Sequence, residues 1–418
     1  MDRAVLWQIG PLTDLSHENG RFPVSMTEFA SLDLIEPLAR AVTALGYTVA
    51  TPIQAGAIPP QLLGRDVLGI AQTGTGKTAS FVLPLLQRLT KDPQPRVPGR
   101  PRALILTPTR ELAQQITESI GDLGRTLSAI RCGVVVGGVD ILRQTRMVQR
   151  GLEILVATPG RLQDLMNRKA VDLRAIEVLV LDEADRMLDM GFAPAVKKIA
   201  AVLPRKRQTV MFSATLPNEV TGLVASLMND PVRVEVAPAA SVANRIDQRV
   251  LFVEQTNKRK LLLDLLGDAR KVERAIVFTR TKHGANKLGI FLLEYGVKSD
   301  VIHGNKSQGA RQRALNDFKS GKVRALVATD IAARGIDVDG ITHVINFDLP
   351  NEPESYVHRI GRTARAGAAG IALSLCAPQE MPYLKAIEKV IKSRIDVDST
   401  HAFHTPSMAR AHGSHGHR

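Results

Sequence analysis

Along the chain, runs of consecutive apolar and β-branched residues alternate with segments whose apolar positions recur at helical spacing. Before residue 236 the runs are DVLGIA (66–71), RALILTP (102–108), RCGVVVGG (131–138), EILVATP (153–159), EVLVLDEAD (177–185) and QTVMFSAT (208–215). A strand that is apolar throughout must be covered by helices on both faces, which is how parallel sheets are built. The alternation returns in RAIVFTR (274–280), SDVIHG (299–304), VRALVATD (323–330), THVINFD (342–348) and GIALSLC (370–376). Between the two sets, residues 236–248 (VAPAASVANRIDQ) are rich in small side chains and poor in large apolar ones, as a linker is. The pattern predicts an α/β protein of two similar parallel-sheet lobes, 26–235 and 249–398, facing each other across a cleft. Ligands of such sheets bind beyond the carboxyl ends of the strands.

The two ends break the pattern. Residues 1–25 show neither helical nor strand periodicity and read as a disordered extension, with Met26 an alternative start. From Met26, MTEFASLDLIEPLARAVTALG reads as one amphipathic helix. Residues 399–418 hold His401, His404, His412, His415 and His417 among Gly, Ser and Ala, and are expected to form a disordered tail.

Composition narrows the function. The chain has 418 residues, 44% hydrophobic and 23% charged, which is globular composition. No apolar run approaches the ~18 residues that span a bilayer, so no membrane association is expected. The two cysteines exclude a disulfide scaffold, and a cytoplasmic location is expected. A formal charge of +14, spread over both lobes, points to a polyanionic partner, because each neutralised phosphate releases counterions.

The chemistry begins at Ala71-Gln72-Thr73-Gly74-Thr75-Gly76-Lys77-Thr78, directly after a strand. Gly74 and Gly76 let successive amides face phosphate oxygens, Lys77 reaches the outer phosphates, and Thr78 can help hold Mg²⁺. The strict phosphate-loop pattern has glycine where this chain has Ala71. The second signal is Asp182-Glu183-Ala184-Asp185 at the end of VLVL. Asp182 is assigned to the metal of a bound triphosphate and Glu183 to the attacking water. Phosphoryl transfer also needs positive charge on the γ-phosphate. His358-Arg359-Ile360-Gly361-Arg362-Thr363-Ala364-Arg365 offers Arg362 and Arg365, three apart and on one face if helical. With the loop on one lobe and the arginines on the other, hydrolysis requires the lobes to close.

These motifs, in this order, resemble the DEAD-box RNA helicases, and within them the bacterial RhlE group. The likeness runs from about Phe29 to about Ile395. The RhlE likeness rests on Ile302-His303-Gly304-Asn305-Lys306-Ser307-Gln308 and on Thr279-Arg280-Thr281-Lys282-His283-Gly284-Ala285. The resemblance implies two tandem RecA-like lobes with ATP and RNA in the cleft. It makes Gly46 to Gln54 the adenine-reading motif, with Phe29 as stacking aromatic and Thr51 and Gln54 as contacts. An amide at Gln54 can both donate to and accept from adenine, so guanine would leave buried groups unpaired at about 1–3 kcal/mol each. Pro108, Thr109, Arg110, Gly138, Thr158, Gly160 and Arg161 match RNA-backbone motifs in the first lobe. Arg280, Gln308, Arg311 and Thr329 match them in the second. Ser213 and Thr215 match the motif that links ATP state to unwinding, with His358 and Arg359 coupling the lobes, and Gly335 and Asp337 would meet the nucleotide.

The reading that follows is an ATP-dependent, Mg²⁺-requiring RNA helicase. It would grip single-stranded RNA and short duplexes by the backbone, largely without regard to sequence, and part strands locally. Ribosome-assembly or RNA-decay proteins are expected partners, and the chain is expected to be a monomer. Two other readings use the same residues: an ATP-gated RNA clamp with incidental unwinding, and a DNA-directed motor.

Overall fold

The structure, a computed structural model, describes residues 27–72, 74–127, 129–236, 246–267, 272–333, 338, 340–364 and 369–413. The apolar runs all form strands, each trimmed at its ends. In the first lobe they are β1 (Val67–Ile70), β2 (Ala103–Leu106), β3 (Cys132–Val135), β4 (Ile154–Ala157), β5 (Val178–Leu181) and β6 (Gln208–Ser213), with β7 (Val232–Glu235) added at one edge. The second lobe holds β8 (Ile246–Phe252), β9 (Ala275–Phe278), β10 (Ser299–Ile302), β11 (Ala325–Ala328), β12 (His343–Asn346), β13 (Gly370–Cys376) and β14 (Asp396–Val397).

The sheet orders are β3-β4-β2-β5-β6-β1-β7 and β10-β11-β9-β12-β13-β8-β14. Counted from the start of each lobe, both read 3-4-2-5-6-1-7, so the two lobes share one topology. All pairings are parallel. Alternate residues of one strand serve opposite faces: Ala103 and Ile105 join the core on one side of the first sheet, and Leu104 and Leu106 join that on the other. Both faces are therefore buried, as the unbroken apolar runs require.

This order decides where the chemistry lies. At the carboxyl edge of the first sheet, β6 sits between β5 and β1. Ser213-Ala214-Thr215 is thereby held between the phosphate loop after β1 and Asp182 after β5. The loops after β2, β3 and β4 emerge together on the other half of the same edge.

Three expectations change. The segment after Met26 is not one helix: a 3-10 turn, Phe29–Ser31, precedes a helix that starts only at Glu36. Asp33 takes a left-handed φ of 51° between them, and Pro37 lies in the first helical turn, so the chain breaks there. The predicted linker is shorter at both ends, because Val236 N–H donates to Ile70 O and β8 begins at Ile246. The tail expected to be disordered is folded through residue 413. Val253 bridges His404, and the helix Pro406–Gly413 buries Met408 and His412 against the β8 side of the sheet. A polar composition hid this because two apolar anchors, Phe403 and Met408, suffice to dock so short a segment. His415, His417 and residues 1–25 lie outside the described residues. Among the described residues no helix is long and apolar enough to cross a membrane.

Candidate nucleotide and nucleic-acid site

β1 leads into the loop 71–76 and then the helix Lys77–Lys91, whose first residue is Lys77. Gly74 and Gly76 take φ of +84° and +90°, which side chains disfavour. A Cβ on Gly76 would also lie 2.5 Å from Gln54 Nε2. The loop is tied to its neighbours by Ala71 N–H to Ser213 O at 3.0 Å and Thr75 Oγ1 to Gln72 O at 2.8 Å. Thr73 lies outside the described residues.

Lys77 Nζ and Asp182 Oδ1 are both buried without a hydrogen-bond partner among the described residues. A buried cation and carboxylate left unpaired are costly unless a ligand satisfies them. Burial pushes the Asp182 carboxyl up to about 6, against the pull of Lys77. This unspent pair, one cationic and one anionic, fits a phosphate chain together with a divalent cation. Thr78 follows Lys77 in the helix, where its hydroxyl can join Asp182 in holding that cation.

The residues expected to read adenine are arranged around the same loop. Gln54 Oε1 accepts Thr51 N–H at 2.8 Å, and its Nε2 donates to Gly76 O at 3.1 Å, while Thr51 Oγ1 is buried without a partner among the described residues. Phe29 is itself buried and stacks with Tyr47, ring centroids 6.0 Å apart. Tyr47 is the ring of the pair that faces outward, 43% exposed.

Beyond Asp182 the chain turns sharply: Glu183 has a left-handed φ of 56° and opens the helix Ala184–Asp189. Its carboxylate accepts Arg186 Nη1 at 3.0 and 2.9 Å, both side chains being buried. Burial works to raise the Glu183 pKa, but Arg186, Lys77 and Arg362 outweigh it and hold the group ionised. Arg186 Nη2 lies 3.2 Å from His358 Nδ1 in the second lobe. Arginine can only donate, so His358 Nδ1 accepts and the ring is neutral. Burial, then the charge of Arg186, lowers the His358 pKa to about 4.

Asp185 holds the Ser213-Ala214-Thr215 turn. Its Oδ2 accepts Ala214 N–H at 3.1 Å, Thr215 N–H at 3.0 Å and Thr215 Oγ1 at 3.0 Å. Ser213 Oγ accepts Asp185 N–H and donates to Thr215 O at 2.6 Å. In the second lobe Arg359 is buried within its own domain, forked onto Asp330 at 2.6 and 2.7 Å and stacked over Phe278. Arg362 is buried near Glu183, but the helix Pro353–Ile360 has ended before it, so no helical face carries it. Arg365, Gly335 and Asp337 lie outside the described residues.

The other half of the edge gathers the residues expected to meet RNA. Arg110 lies over the Gly137-Gly138 turn, where a Cβ on Gly138 would sit 2.0 Å from its Nη1. Burial and the nearby Arg311 both lower the Arg110 pKa, a strain that an incoming anion would relieve. Thr109 caps the helix Arg110–Leu123 and Thr158 precedes the helix Pro159–Asn167; Pro108 is buried and Gly160 is exposed. Arg161 donates to Val139 O at 2.8 Å. Across the cleft, Arg311 Nη2 donates to Glu111 in a buried pair at 2.7 Å, and Gln308 Nε2 donates to the same carboxylate at 3.1 Å. Both are thus lobe-to-lobe contacts here. Arg280 is held by Glu380 and lies over the Tyr383 ring, and Thr329 closes on Ile302 O through its backbone N–H.

Sequence reasoning passed over Glu111, Asp185 and Arg186. For Asp185 and Arg186 a signal existed: each lies a turn or less from an assigned acid on the helix Ala184–Asp189. Glu111 adjoins Arg110, but nothing local foretells a partner in the other lobe.

Comparison with known proteins decides the family. Residues 51–223 match the model of the DEAD/DEAH box helicase and residues 257–367 that of the helicase conserved C-terminal domain. The RNA helicase CrhR of Synechocystis is 46% identical over 371 residues, covering 88% of this chain and 74% of that protein. The chain is a DEAD-box RNA helicase family member. The ATP-dependent RNA helicase CshA of Listeria monocytogenes is 42% identical over 370 residues, 88% of this chain and 70% of that protein. Among solved structures, S. cerevisiae Dbp5 bound to RNA and ADP BeF3 is 29% identical, covers 93% of this chain and 99% of that one, and superposes with a TM-score of 0.79. Mss116p bound to ssRNA and AMP-PNP is 28% identical over 90% of this DEAD-box chain and 80% of its own, also at 0.79.

Proposed function

We propose that this DEAD-box protein is an ATP-dependent RNA helicase whose ATP site, built on the first lobe, is completed by the second. The observation that carries this is the line Glu183–Arg186–His358, which joins the hydrolytic carboxylate to the opposite lobe through buried contacts. Lys77 neutralises the outer phosphates, and the amides around Gly74 and Gly76 orient them. Glu183, kept ionised, orients the attacking water and takes its proton. Arg362 enters only when the lobes meet and supports charge leaving with the phosphate. Mg²⁺, held by Thr78 and Asp182, would neutralise the β- and γ-phosphate oxygens when bound.

RNA is gripped by Arg110, the Gly138 turn, Thr158 and Arg161 on one lobe and by Arg280 and Thr329 on the other. Closure about Glu111, Gln308 and Arg311 then bends the bound strand and expels its partner. Asp185 carries the nucleotide state to the Ser213-Ala214-Thr215 turn. The pieces 302–308 and 279–285 support placement in the RhlE group. A cytoplasmic monomer acting with ribosome-assembly or RNA-decay proteins is the corresponding cellular reading.

The test is unwinding of a short labelled RNA duplex with Mg-ATP. Wild type should release the strand, and Glu183→Gln should hold RNA in ATP and abolish turnover. Wild-type turnover from that variant would remove Glu183 from its role.

A further inference from the structure

The helix Ile141–Gln149 carries Arg143 and Arg146, and Arg150 is its C-cap. All three are exposed, and all three line one cleft of about 920 Å³ between this helix and Gln308–Lys319 of the second lobe. Spacings of three, four and seven put them on one face. None has a side-chain partner among the described residues. Several exposed arginines elsewhere on this lobe are paired, among them Arg65 with Asp230 at 2.9 Å, Arg100 with Asp172 at 2.9 Å and Arg96 with Glu153 at 2.8 Å. Among the described residues that line the cleft, one is an acid, Glu118.

The rest of the cleft is chemically varied in a useful way. Its floor is Val134, Val136 and Val139 of the edge strand and the turn after it. Its far wall presents the amides of Gln312 and Asn316, which bond each other at 3.0 Å. Guanidiniums suit phosphates, an apolar floor suits base faces, and amides suit base edges or the 2′-hydroxyl. Along the axis Arg143 and Arg150 are about 10 Å apart at ~1.5 Å per residue. That spans roughly three phosphates at the ~3.4 Å rise of a stacked strand. The cleft also contains Arg110, so it is continuous with the groove described above.

We propose that Arg143, Arg146 and Arg150 form an auxiliary single-stranded RNA site that holds the part of the strand leaving the groove at Arg110. This rests on the RNA-binding reading, and it adds that RNA longer than the groove is held by a second, electrostatic segment. An acidic polypeptide could satisfy the arginines, but it would leave the valine floor and the amide wall without partners.

The experiment uses the full chain and measures equilibrium binding, by fluorescence anisotropy, as a function of salt. Two oligouridylates are compared: one that only crosses the groove, and the same strand extended by about ten nucleotides, within the range of site sizes on such surfaces. Replacing the three arginines (R143Q, R146Q and R150Q together) should lower the salt slope for the long strand by about 2, at ~0.7 per lost phosphate contact. Binding of the short strand should not change. R146Q alone should remove about a third of that difference, which keeps the test open if the triple variant folds poorly. An unchanged slope for the long strand overturns the site. An equal loss on both strands also overturns it, because the arginines would then belong to the main groove or to the fold. So does a polyglutamate that competes as well as the extended strand. Failure of wild type to bind either strand would instead refute the RNA reading itself.

Discussion

At the scale of single residues, the site is a set of charges whose partners explain why each is where it is. Asp185 is the clearest. One of its oxygens takes three donors from Ala214 and Thr215, and the other takes Arg186 N–H at 3.0 Å. Asp185→Asn would turn one acceptor into a donor facing other donors. We expect a loss of about 1–3 kcal/mol in unfolding free energy, since a buried polar group is left unsatisfied. Duplex unwinding should fall more than ATP hydrolysis, because the turn between the two sites loses its anchor. Denaturant melts and the ratio of the two rates check this, and an unchanged ratio would contradict it. What the sequence showed at this scale was the local chemistry. The places of Lys77, Asp182 and Glu183 just beyond β1 and β5 were legible from strand-end motifs, because a glycine-rich loop and a strand-end acid each have one place to be. Gln308 and Arg311 read as RNA contacts, yet here they meet Glu111. Sequence spacing cannot show that two helices of different lobes will face each other.

At the scale of elements, unbroken apolar runs made the central strands readable, since burial on both faces leaves no polar alternation to confuse. The added strands β7, β8 and β14 were not read. β7 alternates in burial at an edge, β8 starts inside small-residue sequence, and β14 is only two residues long. The C-terminal segment failed for a related reason: histidines and small residues look like solvent-exposed chain until something packs on them. In the fold His412 rests on Phe252 with ring centroids 5.5 Å apart, and its Nε2 is 2.8 Å from Glu388 Oε1. Met408 fills the core behind β8. Met408→Ala should therefore cost the second lobe about 2 kcal/mol, at the low end for a peripheral core site. Equilibrium unfolding measures it. A change within error would mean that the helix Pro406–Gly413 adds nothing to the lobe.

At the scale of the whole molecule, two lobes of one topology meet through a few buried polar contacts, and protonation reaches one of them. His358 lies against Arg186, within reach of Asp185, Glu183 and Arg362, and its pKa falls from 6.5 to about 4 on burial. With the lobes apart the ring returns to its ordinary value. Between those two values the open state takes up a proton that the closed state refuses, so closure is intact above ~6.5 and weakens as pH falls toward 4. The loss is about tenfold in the closure equilibrium per pH unit in that window. Energy transfer between dyes on the two lobes, with RNA and a non-hydrolysable ATP analogue, reads it. His358→Asn keeps an acceptor for Arg186 without titrating, and should flatten that part of the profile. A wild-type profile already flat from pH 7 to 5 would contradict the contact.

In the proposed mechanism RNA and ATP together close the lobes and so switch on hydrolysis. Steady-state Mg-ATP hydrolysis, measured without nucleic acid, with single-stranded RNA and with DNA of the same sequence, tests it most directly. Turnover should be slow without nucleic acid, strongly stimulated by RNA and little by DNA. Equal stimulation by DNA, or none by RNA, would contradict it.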